Sequence, residues 1–300
     1  MIKEFVVEKK NRNLRLDFFL AKQFNISRNI CHSFINSNKV LVNDKVVKKS
    51  HLLKENDVIK TPIIEKNSIS NIFEPINLNL DIVYEDNYLL IINKPYDLIV
   101  HPSLSYSGVT LINGLRYQIK DFLCSHPLRP GIIHRLDKNT TGLIIVGKTN
   151  EVVERMQNLI RQRKIQRIYW SLVYGFLGHE YGTIDIPIKR SISDYYKMTV
   201  SKEGKRAITH FKTLEKFKDI SLLELKLETG RTHQIRVHLS YLKHPIVGDT
   251  LYGRENQLLN KQLLHAKKIN FIHPFTDENL EFEIPLPIHF QEFLKKLKSE

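Results

Sequence analysis

Cysteine is what this 300-residue chain is most short of. With only Cys31 and Cys124, it can build neither a disulfide framework nor a thiolate zinc site, and both are expected as packing residues in a reducing compartment. Glycine is sparse, at 12 residues, and nowhere gathers into the loop that cradles a dinucleotide. No serine sits in a G-x-S-x-G elbow. His233, His238 and His244 have no carboxylate or thiolate joined to them at ligand spacing, so hydrogen-bonding roles are expected and no metal. No apolar run approaches the roughly 20 residues of a membrane span. Residues 1–10 lack the apolar core of a signal peptide, and Glu4 and Glu8 count against a transit peptide. The expectation is a cytoplasmic protein whose chemistry, if it has any, runs without cofactor or metal.

What is abundant is positive charge. The formal net charge is +14, and residues 1–60 alone carry thirteen Lys/Arg against six Asp/Glu. Half of the excess in a fifth of the chain favours a polyanionic partner, of which nucleic acid is the usual one.

Periodicity divides the chain into a module at 1–62, a linker at 63–80 and a larger domain at 81–300. In the first, Leu16, Phe19, Leu20 and Phe24 recur at helical spacing. Ser27 is a candidate N-cap for a second helix through Arg28, Cys31 and Ile35. Short strands follow at 40–42, 45–47 and 58–59. Beyond the linker, strands are predicted at 82–84, 88–92, 143–147, 167–176, 206–217 and 221–228, and helices at 109–120, 150–163, 232–242 and 287–298. Strands outnumber helices without regular alternation. The fold class expected is therefore α+β: a small α/β module plus a larger domain with a mostly antiparallel mixed sheet, flanking helices and a central cleft.

Three stretches concentrate polar chemistry. His134-Arg135-Leu136-Asp137-Lys138-Asn139-Thr140-Thr141-Gly142 sets one short acid among cations and polar groups, just before an apolar strand. A carboxylate kept ionised there can act as a nucleophile. The second stretch is a basic run holding Arg155, Arg161, Arg163, Lys164 and Arg167, with no acid between Glu154 and Glu180. With Tyr169 and Trp170 directly after it, the run suits a groove that tracks phosphates and stacks a base. The third is Glu228 to Leu239, where Gly230 suits a strand-to-helix turn, Thr232 can cap the helix and Arg231 can reach a neighbouring loop. Gly142 to Thr149 also spells the G-x-x-x-x-G-K-T phosphate loop. Its middle residues, Leu-Ile-Ile-Val, are stiff and suit a strand rather than a loop, so nucleotide binding is not expected.

Arg15-Leu16-Asp17, Ser27-Arg28, Val40-Leu41-Val42-Asn43 and Asn56-Asp57-Val58-Ile59 resemble the αL RNA-binding motif of a ribosomal small-subunit protein, some tRNA synthetases and many RNA-modifying enzymes. Three of its usual glycines are replaced by Asn38, Asp44 and Asn56, the residue types that best tolerate left-handed turns. The remainder, about 75–290, resembles the RluA-type pseudouridine synthases. The matching residues are Tyr84-Glu85-Asp86, Asn93-Lys94-Pro95, Arg129 through Asp137, the Tyr169 segment, Thr229 through Arg236, His244 through Asp249 and Leu264-His265-Ala266. One departure is Gly147, where that family commonly has Ala.

The resemblance implies an enzyme that isomerises uridine to pseudouridine in RNA, without cofactor. It implies Asp137 as the essential aspartate, Arg231 as its pairing arginine and Tyr169 as the stacking tyrosine. His134 and Arg135 either hold a flipped-out conformation or contact phosphate. Arg15, Arg28, Arg161, Arg163, Lys164 and Arg167 are the expected RNA contacts. Large-subunit ribosomal RNA is the expected substrate, with tRNA as the alternative and a catalytically silent RNA-binding assembly factor as the reading from another class. A monomer is the default.

Overall fold

A computed structural model describes residues 2–299 apart from 25, 27, 37, 63–73, 103–105, 107, 120, 121, 123, 125, 127, 128, 195 and 255–258, and apart from the side chains of 29, 30 and 33. The N-cap expected at Ser27 and most of the expected linker lie outside the described residues. Contacts divide the chain into two compact units. One comprises Met1–Asn77, His101–Gln118 and Ser125–Pro130; the other comprises Leu78–Val100, Ile119–Cys124 and Gly131–Glu300. The segment His101–Gln118 thus clusters with the amino-terminal residues, although pattern alone groups it with the 81–300 block.

The first unit contains β1 (Ile2–Val6), α1 (Leu16–Phe24), α2 (Arg28–Asn36), β2 (Leu41–Val42), β3 (Lys45–Val46), β4 (Val58–Pro62) and α3 (Leu111–Gln118). Its four strands pair antiparallel in the order β1-β4-β2-β3. The helical period of α1 is realised as burial of Leu16, Phe19 and Leu20 against Val7, Ile35, Val42 and Ile59. Burying each such side chain contributes about 1.5–3 kcal/mol. Asn38, Asp44 and Asn56 all have positive φ, at 57°, 61° and 68°. The left-handed turns expected of glycine are therefore made by Asn and Asp, and the module keeps its shape.

The second unit contains β5 (Asp81–Glu85), β6 (Leu89–Lys94), β7 (Thr141–Gly147), α4 (Asn150–Arg161), β8 (Gln166–Tyr174), β9 (Tyr181–Asp185), β10 (Ile188–Arg190), β11 (Met198–Val200), β12 (Ile208–Lys216), β13 (Ile220–Leu227), α5 (Gln234–Tyr241), β14 (Leu264–Ile272), β15 (Asn279–Glu283) and α6 (Ile288–Ser299). Its main sheet runs β5-β6-β7-β14-β8-β13-β12-β9, with β15 on β14. Among the described residues the β7–β14 pair is parallel and the other pairs are antiparallel. One core cluster gathers Leu89, Ile91, Leu143 and Ile145 with Val152 and Met156 of α4; another gathers Leu172, Tyr174 and Leu222 with Phe290 of α6.

All seven residues of β7 are buried, as its stiff aliphatic run demands, and no phosphate loop exists there. Thr149 instead caps α4, its side chain accepting the Val152 N–H. At the head of β7, Gly142 has φ +108°, and a Cβ there would collide with the Ala266 backbone of β14. The parallel pairing thus needs glycine at this point. Gly142→Ala is expected to destabilise the second unit by about 1–3 kcal/mol, read as a lowered urea midpoint with unchanged slope.

Candidate active site

Asp137 lies in the turn that feeds β7, where its carbonyl accepts the Thr140 N–H at 3.1 Å. Neighbouring side chains pin that turn to the β14 side: Gln262 donates to Thr140 Oγ1 at 2.9 Å, and Thr141 Oγ1 meets His265 Nδ1 at 2.7 Å. The Asp137 side chain is 14 % exposed, and its Oδ2 accepts from Arg236 Nη1 at 3.1 Å. Arg236, on α5, uses the rest of its fork on Asp249: Nε to Oδ2 at 2.7 Å and Nη2 to Oδ1 at 2.9 Å. Asp249 is fully buried and also accepts the N–H groups of Leu251 and Tyr252. One guanidinium therefore bridges two carboxylates while its planar face lies over the Tyr252 ring, 5.0 Å from the centroid.

The pairing arginine is thus Arg236, not Arg231. Arg231 is exposed and its Nε donates to the Arg206 carbonyl at 3.0 Å. The cause lies in how α5 starts. His233 takes a left-handed φ of 55° as the N-cap residue, and the Gln234 side chain, not Thr232, receives the free groups of the turn: Arg231 N–H at 3.0 Å and Thr229 Oγ1–H at 2.7 Å. That start turns Arg236 inward and leaves Arg231 at the rim.

His233 completes the surroundings. The Tyr252 hydroxyl accepts the Met198 N–H at 2.7 Å and shares a hydrogen bond with His233 Nδ1 at 2.9 Å. Burial holds His233 below its usual pKa and pushes the Tyr252 hydroxyl up to about 12. His233 Nε2 lies 3.9 Å from Asp137 Oδ2. Burial alone would raise the Asp137 pKa. The positive groups around it (His233 when protonated, then Arg236 and Arg135) outweigh burial and hold the carboxyl below the ordinary carboxylate range.

Lys94 stands at the end of β6. Its ammonium is fully buried and donates to the carbonyls of Pro95, Leu98 and Lys138 at 2.8, 2.9 and 3.0 Å. It ties the β6 end to the residue after Asp137. Burial pulls its pKa down to about 7, opposed by Asp137 and Asp97.

Tyr169 on β8 is buried and within electrostatic reach of Asp137. Arg135 is exposed beside it in sequence. His134 is not a phosphate contact: its Nε2 accepts the Ile145 N–H at 3.0 Å, and burial depresses its pKa to about 3. His265 is held near the same value by burial. Both pKa values are lowered on folding from about 6.5, so the unfolded chain binds more protons below that pH. Their stability is complete above pH 6.5 and is lost as pH falls toward 3, at roughly 2–3 kcal/mol per pH unit for the two together. Melting temperatures from pH 8 to 4 should fall along this limb, and His265→Asn should flatten it.

The basic run splits. Arg161, the last residue of α4, and Arg163 and Lys164 just past it are exposed, with Arg163 paired to Glu228 and Arg161 bonded to Asn158. Arg167 is buried inside the sheet face, and Trp170 packs against the α6 core under Lys267. Neither lies on a phosphate-tracking surface: alternation along β8 puts Arg167 on the Tyr169 face and Trp170 on the opposite face, where the α6 core covers it. In the first unit, buried Asp17 accepts from Arg15 Nε and Nη2 at 3.0 Å each, from Arg28 Nη2 at 2.7 Å and from His32 at 2.7 Å. Both arginines remain half exposed, fixed in direction by one carboxylate.

A continuous buried carboxylate–guanidinium–carboxylate unit at a strand mouth, with a tyrosine in electrostatic reach, is the framework of a site that stabilises charge on a bound group. Residues 88–241 match the family model for RNA pseudouridylate synthase, and residues 14–59 match the S4 domain. The chain is 39% identical over 299 residues to the uncharacterized RNA pseudouridine synthase YlyB of Bacillus subtilis (strain 168), covering 99% of this chain and 98% of that one. It is 37% identical over 301 residues to ribosomal large subunit pseudouridine synthase D of Pasteurella multocida (strain Pm70), covering 95% and 92%. Among solved structures, human RNA pseudouridylate synthase domain containing 1 superposes with a TM-score of 0.57 at 26% identity, covering 76% of this chain and 98% of that one. The chain belongs to the RNA pseudouridylate synthase family and carries an S4 RNA-binding domain; it is an isomerase acting on RNA.

Proposed function

We propose that this chain isomerises uridines of large-subunit ribosomal RNA to pseudouridine, with Asp137 as the group that acts on a flipped-out nucleotide. The observation that carries the reading is the Asp137–Arg236 contact, which supplies an ionised carboxylate in a mostly dehydrated setting. Breaking the bond between C1′ and N1 leaves an electron-poor sugar, and an anion held there traps or stabilises it. A uridine within folded RNA is out of reach until it is extruded, at a cost of a few kcal/mol. Stacking against Tyr169 offsets ~1–3 kcal/mol of that cost. Arg135 and Arg231, both exposed near the Asp137 segment and the α5 turn, suit contacts to the flanking RNA backbone.

The ribosomal substrate is supported by relatives named for the large subunit, such as that of Pasteurella multocida, and by the basic S4 module. The test is to incubate purified protein with unmodified large-subunit ribosomal RNA and with tRNA transcripts, then map pseudouridine by carbodiimide and primer extension. New stops are expected in the ribosomal RNA. Stops confined to tRNA would reassign the substrate, and none in either would remove the activity.

A further inference from the structure

Arg167 is a cation that the site described above does not use. It is 5 % exposed, and its Nε is buried without a hydrogen-bond partner. Among the described residues no carboxylate lies within ion-pair distance of it, and burial lowers its pKa, opposed only by Tyr169. A guanidinium shut away without a counter-charge is among the costliest groups a fold can carry. Its place explains what it awaits. On β8 it stands two residues before Tyr169, so the two share a face. A Cβ added at Gly230 would lie 2.9 Å from its Nη1, so the guanidinium rests against the turn that leads into His233 and Arg236. His134 lies in its electrostatic field. Because His134 Nε2 accepts from Ile145, its ring proton is on Nδ1, and that atom too is buried and unpartnered.

We propose that Arg167, aided by the Nδ1–H of His134, is the hydrogen-bond donor that receives the detached uracil; this rests on the reading of the Asp137 pocket as the uridine site. When the C1′–N1 bond breaks, its electron pair goes to N1, and the uracil becomes an anion whose charge spreads onto O2 and O4. Reattachment forms the C1′–C5 bond, and the C5 proton is exchanged for one on N1, so the product is an isomer and no further reactant is consumed. Two donors already desolvated and aimed before the charge appears are suited to an oxyanion that exists only during the reaction. A backbone phosphate fits poorly, since it lies at the surface and both donors are buried.

The test uses the full-length protein in single-turnover reactions on its RNA. Arg167→Gln is expected to lower the rate by ~10²–10³-fold, with RNA affinity and its salt dependence unchanged. Arg167→Lys should recover part of the rate. Gly230→Ala crowds only the guanidinium tip, so it should act in the same direction and combine non-additively with Arg167→Gln. On RNA carrying 5-fluorouridine, whose base leaves more easily but whose C5 has no proton to lose, the reaction is followed as loss of the N1-linked nucleoside, and the gap between wild type and Arg167→Gln should narrow. A wild-type rate for Arg167→Gln overturns the proposal, as does an equal deficit on both bases. A loss of RNA affinity with a salt slope smaller by about one would make Arg167 a phosphate contact instead. Asp137→Asn separates the two readings. Pseudouridine formed by that variant removes the pocket assignment, whereas a silent Asp137→Asn beside a fully active Arg167→Gln removes only the role of Arg167.

Discussion

Asp137→Asn is expected to reduce pseudouridine formation by at least ~10⁴-fold, the order seen when a covalent or charge-bearing catalytic group is removed. The asparagine keeps the shape and removes the charge. The fold should survive, because Arg236 retains its two bonds to Asp249. RNA binding should survive as well, since phosphate contacts belong to exposed arginines and lysines. In wild-type enzyme the Asp137 pKa lies below the ordinary range. The group is therefore ionised throughout the neutral region, and any acid limb of the rate that it causes must fall below about pH 4. The same shift sets its linkage to stability. A depressed carboxyl pKa stabilises the fold above the unfolded value of about 3.9 and ceases to do so as pH falls through the folded one. Gel-shift affinity and primer-extension stops measured on one protein preparation decide the matter. Modification that persists in the variant would place the chemistry elsewhere.

The placements of Asp137 before β7 and Tyr169 on β8 were legible because each is tied to a strong local signal. The first precedes a seven-residue apolar strand, and the second follows the alternation of β8. The arginine partner was not readable to the residue. Arg231 and Arg236 occur in the same matched stretch, and each helical residue turns the side chain by about 100°. Which of them faces Asp137 depends on the left-handed His233 and on the Gln234 side chain closing the turn. Neither leaves a compositional trace. The basic run was legible as charge but not as geometry, since it spans a helix end, a turn and a strand: Arg161 and Lys164 stay out before β8 begins, and alternation along β8 sends Arg167 inward.

Strand β14 escaped the sequence reading altogether, although it is the central link between β7 and β8. Its Lys267-Lys268 pair breaks the apolar pattern. Lys267 is nevertheless 9 % exposed, its ammonium bonded to the Ile284 carbonyl and Glu283 and lying over Trp170. Those partners come from β15, β8 and the segment after β15, so no local window contains the reason for its burial. The glycine replacements in the first unit show the opposite case. Asn38, Asp44 and Asn56 carry their backbone preference within themselves, and the left-handed turns follow.

Replacing Arg236 should do the most damage to stability. Arg236→Met removes the Arg236 ion pair from fully buried Asp249, and leaves Asp137 without its hydrogen-bonded guanidinium. Removing one side of a buried ion pair costs about 3–5 kcal/mol. Charge, rather than packing, accounts for that cost, and the two differ in their response to pH. Without the guanidinium, burial is opposed less at Asp137 and its carboxyl pKa rises, so the variant binds protons on folding that wild type does not. Its deficit should be largest near pH 7 and shrink as pH drops toward 4. A deficit constant across that range would mean lost packing on Tyr252 instead. Arg236→Lys should recover little, since an ammonium cannot span Asp137 and Asp249 with a planar fork. Combining Arg236→Met with Asp249→Asn should restore much of the stability by removing the uncompensated charge. Activity should stay lost, because Asp137 would still lack the guanidinium that hydrogen-bonds and orients it. Recovery of both together would show that the bridge is structural and that Asp137 needs no partner to react.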